Sequence, residues 1–162
     1  MEINIKVREE LLEVIDGLTD EQINHVLEEG KWTIAQVLEH LYLTEKLVVR
    51  SFTEAIPVTE EDPVKLKKVH LTQDRSQKVN APKFLVPSKE YQTIEQLKEK
   101  LKKSRESLEK FMGDISEQDL NGKYLPHPFF DKLTLKQWVE FLGYHEKRHI
   151  GQIEELKKAL TK

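Results

Sequence analysis

The amino-acid sequence predicts an all-α protein whose main helices form a four-helix bundle. Long segments carry apolar residues at helical spacing, three of these segments open with the pattern Thr-x-x-Gln, and the connection in the middle of the chain is rich in proline. The length of 162 residues suits one domain, so we expect residues 1–162 to form a single helical bundle domain.

The first main helix is predicted over about residues 4–15, and a short helical turn is predicted after Thr19. The second main helix is predicted from Thr33 to about Ala55, where Pro57 would end it. Helical spacing places five apolar side chains of this helix on one face, namely Ile34, Val37, Leu38, Leu41 and Val48.

The third helix is predicted from Thr93 to about Phe111, with a charged face opposite its apolar stripe, and the fourth from Thr134 to about Leu160. The fourth has the clearest periodicity, through Leu135, Trp138, Val139, Leu142, Ile153, Leu156 and Leu160. Thr-x-x-Gln can form a reciprocal capping box, which predicts the three helix starts at Thr33–Gln36, Thr93–Gln96 and Thr134–Gln137.

The connection over residues 56–92 contains four prolines and little sustained periodicity. At about 3.3 Å per extended residue, it is long enough to cross the bundle and leave its flanking helices parallel. Two interpretations stay open, a segment that covers a pocket and a surface connection without a role in chemistry.

A partial internal repeat indicates a bundle of two related halves. Six residues recur 101 positions later: Thr33, Gln36, Glu39, Leu41, Glu45 and Lys46 as Thr134, Gln137, Glu140, Leu142, Glu146 and Lys147. Shared helix-forming preferences explain part of this pattern, and the rest suggests pseudo-symmetry that gives the second and fourth helices equivalent roles.

Composition excludes several classes of function. A formal net charge of -3 lacks the basic surface that nucleic-acid binding requires. Without cysteine, the chain has neither disulfides nor thiolate ligands, so any metal must be held by His, Asp or Glu. With no signal-like start and no apolar run of about 18 residues, we expect a cytoplasmic protein that does not act at a membrane.

Three histidines interrupt apolar helix faces and are candidate metal ligands. His145 and His149 are four residues apart on the fourth helix, so both side chains lie on one face, and His40 interrupts the second helix in the same way. Three neutral imidazoles suit zinc or nickel first, with iron, manganese or copper as further candidates, and leave a coordination position open. The alternative is that these histidines are core residues satisfied by hydrogen bonds.

Glu146 is a candidate catalytic base because His145 to His149 spells the H-E-x-x-H pattern of zinc proteases. The usual distant third ligand of that class is missing, and an outward ion pair with Lys or Arg on the next turn is the competing interpretation. His25 and His70 are expected to face water. His127 is expected to pack in a loop, although that loop could approach the site.

Three stretches resemble the DinB superfamily, which includes the YfiT-like proteins. They are Lys31 to Leu41 (KWTIAQVLEHL), His127 to Phe130 (HPFF) and Gly143 to Ile153 (GYHEKRHIGQI). The resemblance implies a bundle in up-down-down-up order with the long crossover between helices 2 and 3, a homodimer, and a metal triad at His40, His145 and His149. This chain has Asp131 where similar sequences often carry glycine.

The resemblance also implies activities such as transfer to low-molecular-weight thiols or thiol-dependent isomerisation. We therefore expect a metal-dependent enzyme acting on a small molecule, either a thiol S-transferase or a hydrolase. The absence of cysteine fits thiol transfer, because the sulfur would arrive with the cosubstrate. The alternative is a non-catalytic dimeric interaction module with incidental metal or none.

Overall fold

The computed structural model describes residues 1–161, which are mainly helical. The described α-helices are α1 (Glu2–Ile15), α2 (Asp20–Asn24), α3 (Ile34–Ser51), α4 (Ile94–Asp114), α5 (Glu117–Gly122) and α6 (Leu135–Leu160). The four long helices match the predicted ones within a few residues. Helix α3 ends at Ser51, and a turn of 3₁₀-helix follows at Phe52–Glu54. Both end before Pro57, the residue predicted to stop the helix.

Threonine caps begin three of the four long helices, α3, α4 and α6, where the sequence predicted them. Thr33 and Thr93 form complete capping boxes with Gln36 and Gln96. At α6 the prediction was half wrong, because Thr134 accepts a hydrogen bond from the backbone of Gln137 but the Gln137 side chain points elsewhere. Its amide group instead pairs with the backbone of Lys67, accepting from the N–H at 3.0 Å and donating to the carbonyl at 2.8 Å.

The all-α prediction was incomplete, because a three-stranded antiparallel sheet closes one end of the bundle. Its strands are β1 (Ile56–Pro57), β2 (Lys123–His127) and β3 (Asp131–Thr134), in the order β1-β2-β3. These strands are two to five residues long and two contain proline, so they lack the alternation that identifies a strand in a sequence.

Helix α1 packs mainly against α6, and α3 packs against α4 and also against α6. Two groups of buried apolar residues fill the interior. One centres on Leu11, Leu38, Leu97 and Ile153, and the other on Leu108, Leu133, Leu135 and Leu142. Apolar burial of this kind is the main stabilising contribution to a bundle. The up-down-down-up order of the helices stays a prediction.

Glycine in α6 allows the close approach of α1. A Cβ added at Gly143 would lie 2.9 Å from Cγ2 of Ile3 and 3.4 Å from the backbone nitrogen of Asn4. The first distance is shorter than a real Cβ contact, and the second is to backbone that cannot rotate away. A side chain at position 143 would therefore force α1 and α6 to shift where they cross.

The crossover is attached to α6 by two arginines. Arg148 donates to the carbonyls of Thr72, Asp74 and Gln77, and Arg75 donates to Glu155 at 2.8 Å. These bonds fix residues 72–77 along the helix that carries two of the candidate metal ligands.

None of the helices within residues 1–161 is long and apolar enough to cross a membrane.

Candidate metal centre

The structure brings His40, His145 and His149 together, as their spacing on apolar helix faces predicted. The Nε2 atom of His145 lies 3.2 Å from Nε2 of His40 and 3.2 Å from Nε2 of His149. Each ring offers one nitrogen ligand atom, and these three atoms lie within 4.8 Å of one another. Helix α6 presents two of the rings one turn apart, and α3 supplies the third.

Oxygen acceptors orient two of the rings from behind. Nδ1 of His40 lies 2.8 Å from the carbonyl of Leu85, and Nδ1 of His149 lies 2.7 Å from Oε1 of Gln152. An oxygen acceptor requires the proton on Nδ1, so in both rings Nε2 carries a lone pair. Acceptors of this kind behind a histidine are typical of metal sites, where they fix the tautomer and the direction of the ring.

Leu85 belongs to the crossover, in the short 3₁₀-helix Lys83–Leu85. Its carbonyl contact with His40 means that the crossover takes part in the site. The interpretation of residues 56–92 as a surface connection without any role at the site is therefore not supported.

The three rings cannot satisfy one another with their own protons. A neutral His145 carries one N–H at most, so it can donate to only one of the two Nε2 lone pairs that lie 3.2 Å away. The remaining close pair of nitrogens has no proton between them. A cation at the point where the three lone pairs meet would remove this repulsion, so the donor set fits a divalent transition metal.

Burial keeps the three imidazoles neutral. It lowers the pKa of His149 to about 3, lowers that of His145 well below its usual value, and lowers that of His40 against the opposing hydrogen bond to Leu85. Neighbouring histidines lower the pKa of His145 and His149 further. Neutral imidazole is the form that binds a metal, so the site is ready for one near neutral pH.

Aromatic side chains surround the histidines. The Trp32 ring lies 4.9 Å from the His40 ring, and the Phe141 ring stacks on His145 with the centroids 5.6 Å apart. These contacts restrict ring rotation and keep the surroundings of the site largely apolar. A low local dielectric strengthens any electrostatic interaction made there.

Glu146 lies in the bundle interior, so the expectation of an outward ion pair was wrong. Its Oε1 accepts from Nε and Nη2 of Arg8 at 3.0 and 2.8 Å, and its Oε2 lies 3.7 Å from Nη2 of Arg105. Burial raises the pKa of Glu146, and the two guanidinium groups oppose that rise. The contacts of this carboxylate are those of a structural ion pair and give no support to its candidacy as a general base.

Glu45 occupies the equivalent position on α3. Its Oε2 accepts from Nε of Arg105 at 3.1 Å, and its Oε1 accepts from Ser104 at 2.6 Å and from Arg8 at 3.4 Å. Two arginines and two glutamates thus form a buried cluster that links α1, α3, α4 and α6. We call it the four-charge cluster.

The four-charge cluster is pseudo-symmetric, which supports the relation that the internal repeat suggested. Arg8 donates to the carbonyl of Leu101, four residues before Arg105, and Arg105 donates to the carbonyl of Asn4, four residues before Arg8. Each arginine also contacts both glutamates. The two halves of the bundle therefore meet in equivalent contacts at the four-charge cluster.

The other three histidines do not belong to the triad. His25 and His70 are exposed, as expected. His127 is only 5% exposed and lies at the end of β2, so it is more deeply buried than a loop position suggests.

A helical bundle with a three-histidine group between two of its helices defines a class of candidate metal-binding bundle proteins. The profile of the DinB superfamily matches residues 5–153 of this chain. The chain belongs to the DinB superfamily, as the three sequence stretches indicated. The backbone of Asp131 has a φ of 62°, in the left-handed region that glycine favours.

A relative from Bacillus subtilis (strain 168), the uncharacterized protein YuaE, is 32% identical over 162 residues, which is 100% of this chain and 99% of YuaE. Two solved structures share the fold. TT2238, described as a four-helix bundle protein, has a TM-score of 0.64 at 19% identity and covers 95% of this chain and 94% of its own. A conserved protein from Enterococcus faecalis has a TM-score of 0.68 at 13% identity and covers 99% and 94%.

Proposed function

We propose that this protein is a metal-dependent enzyme that acts on a small molecule at His40, His145 and His149. The observation that carries the proposal is the convergence of three neutral imidazoles that have more lone pairs than protons between them. A divalent transition metal held there supplies Lewis acidity, which lowers the pKa of a thiol or water or polarises an electrophile. Zinc and nickel suit three nitrogen ligands best, with iron, manganese or copper as further candidates.

The residues of the chain provide the remaining parts of the site. Leu85 and Gln152 hold the rings of His40 and His149 in the ligating tautomer. Trp32 packs against the ring of His40 and Phe141 stacks on that of His145. With three protein ligands, one position stays open for a substrate atom, which is the arrangement of a catalytic site.

Thiol transfer is the reaction we favour. The chain has no cysteine, so the nucleophilic sulfur comes from a low-molecular-weight thiol cosubstrate. In the transfer, the sulfur forms a bond to an electrophilic carbon, the leaving group departs with its bonding electrons, and the thiol proton passes to solvent. Hydrolysis at the same site uses water in place of the thiol.

In this proposal the helices follow the order up-down-down-up and the protein assembles as a homodimer. Its partner is a small-molecule substrate, without nucleic acid or membrane. The convergence of the histidines favours a metal site over an interaction module without metal, because separated histidines would have suited the latter.

The test is a paired substrate panel with the metal-loaded protein. A chromogenic aryl halide with a low-molecular-weight thiol reports thiol transfer, and a chromogenic ester without thiol reports hydrolysis. We expect turnover that requires the thiol and is lost in His149→Ala. Turnover without thiol would assign hydrolysis, and equal rates in the parent and His149→Ala would contradict a reaction at this site.

A further inference from the structure

His127 is a buried histidine whose environment is not explained by packing alone. Its ring contacts three aromatic rings, with centroid distances of 4.7 Å to Trp138, 4.5 Å to Phe141 and 5.1 Å to Phe130. An apolar ring would fill the same space, so packing does not explain why a histidine stands here. Its two ring nitrogens are buried polar atoms and need hydrogen-bond partners.

The Nδ1 atom has a structural role. It accepts hydrogen bonds from the backbone N–H of Phe129 at 3.1 Å and of Phe130 at 3.3 Å, which fixes the turn between β2 and β3. A nitrogen that accepts carries no proton, so the single proton of the neutral ring lies on Nε2. Burial lowers the pKa of His127 to about 4, so the ring is neutral near pH 7.

The Nε2–H group is left without a partner. Within residues 1–161 the structure shows hydrogen bonds to Nδ1 of His127 and none from Nε2. Nε2 is not among the fully buried atoms that lack a partner, so it keeps a small accessible surface. The ring is thus held rigidly by its other nitrogen and by its aromatic neighbours, with one donor open.

One aromatic ring, that of Phe141, lies between His127 and the histidine triad. The Phe141 ring meets the His127 ring edge-on with the centroids 4.5 Å apart, and it stacks on the His145 ring with the centroids 5.6 Å apart. On α6, positions 138, 141, 145 and 149 follow one another at intervals of three and four residues, so they share one helix face. His127 packs on this face one to two turns before the metal ligands.

We propose that His127 donates a hydrogen bond from Nε2 to an acceptor oxygen of the small molecule that binds at the three-histidine site. The assignment rests on the proposed function. It narrows the substrate class to molecules that carry a carbonyl or carboxylate oxygen several bonds away from the atom that faces the metal ligands. His127 selects and positions this end of the molecule, and its neutral state allows it to donate without exchanging a proton.

Two variants separate the donor from the turn. In His127→Asn the side-chain oxygen takes the place of Nδ1 and can accept from the same two backbone N–H groups, as asparagine does in an Asx-turn, while the Nε2 donor is lost. In His127→Gln the longer side chain restores an amide N–H near the position of Nε2.

The probes are two thiols of equal chain length that bind to the cobalt(II)-loaded protein through sulfur. N-acetylcysteamine carries a carbonyl oxygen and 1-pentanethiol does not. We expect the parent to bind N-acetylcysteamine more tightly than 1-pentanethiol. The ratio of the two affinities should fall about tenfold in His127→Asn and recover in part in His127→Gln. Visible absorption from sulfur bound to cobalt measures both affinities. An unchanged preference in His127→Asn would overturn the assignment.

A second measurement requires neither metal nor thiol. Nitrogen NMR of the ¹⁵N-histidine-labelled protein should show His127 as the Nε2–H tautomer near pH 7, and the Nδ1–H tautomer would overturn the assignment. The two proposals also fail differently. A parent that takes up no cobalt removes the proposed function, whereas a parent that binds cobalt and both thiols but does not depend on His127 removes this assignment alone.

Discussion

Replacing Glu146 with glutamine should destabilise the fold while leaving metal binding intact. The carboxylate is 5% exposed and pairs with Arg8, whose side chain is 11% exposed, and with Arg105. Glutamine keeps the shape of the side chain but removes its charge. The two arginines would then share only the charge of Glu45, which leaves one buried positive charge without a counterion.

The magnitude follows from the burial of the pair. Removing one partner of a buried ion pair costs about 3–5 kcal/mol, and glutamine can still accept from Arg8, so we expect about 3 kcal/mol. At roughly 2–4 °C per kcal/mol for a chain of this size, the melting temperature should fall by roughly 10 °C.

Urea unfolding measures the loss, with Glu154→Gln as the matched control. Glu154 is an exposed carboxylate on the same helix, so its replacement should change the stability by less than about 0.5 kcal/mol. Metal stoichiometry is measured on both variants. If Glu146→Gln were as stable as the parent and had lost only its activity, Glu146 would be a catalytic base and the structural assignment would be refuted.

Three further predictions follow from local geometry. Gly143→Ala should lower the stability by about 1–3 kcal/mol because its Cβ would meet Ile3. Gly113→Ala, whose Cβ would have no neighbour within 4 Å, should raise the stability by about 0.5–1 kcal/mol. Chemical denaturation measures both, and the same sign for both variants would contradict the packing. Asp131→Gly should raise the free energy of unfolding by up to about 1 kcal/mol, because the φ of 62° at this position favours glycine. A lower melting temperature in this variant would contradict the left-handed conformation of Asp131. Burial lowers the pKa of His127 to about 4, so its contribution to stability is complete above about pH 6.5 and is lost as pH falls toward 4, at up to about 1.4 kcal/mol per pH unit. The triad histidines keep their own pH dependence, so His127→Asn should reduce the slope of stability against pH without removing it. An unchanged slope would show that His127 does not titrate in this way.

The long helices and the histidine triad were predictable because their signals are local. Apolar spacing, threonine caps and histidines on apolar faces are properties of single segments. The structure contains the helices, the caps and the histidine positions that these signals predicted. The pairing of His40 with the two histidines of α6 needed more, since it depended on the internal repeat and on the family resemblance. The structure places the three rings together.

The features that sequence reasoning missed depend on partners distant in the chain. The direction of Glu146 is set by Arg8 and Arg105, which lie 138 and 41 residues away, and nothing near Glu146 signals a buried arginine. Gln137 had the pattern of a capping box, but the backbone of Lys67 offered its amide two hydrogen bonds in place of one. The sheet was missed because its strands are short and irregular.

A signal for His127 existed in the sequence but favoured the other interpretation. A histidine between two prolines in a short loop suggested exposure, and only the aromatic residues that follow it in the chain, Phe129, Phe130 and Trp138, indicated burial. The orientation of its ring depends on backbone donors within the turn, which no spacing pattern reveals.

Elemental analysis of the protein purified without a histidine tag or chelator tests the central claim most directly, alongside alanine variants of His40, His145 and His149. We predict one transition-metal ion per chain in the parent and its loss in each variant, with helical content retained. Absence of metal after reconstitution, or full stoichiometry in His149→Ala, would contradict the metal centre.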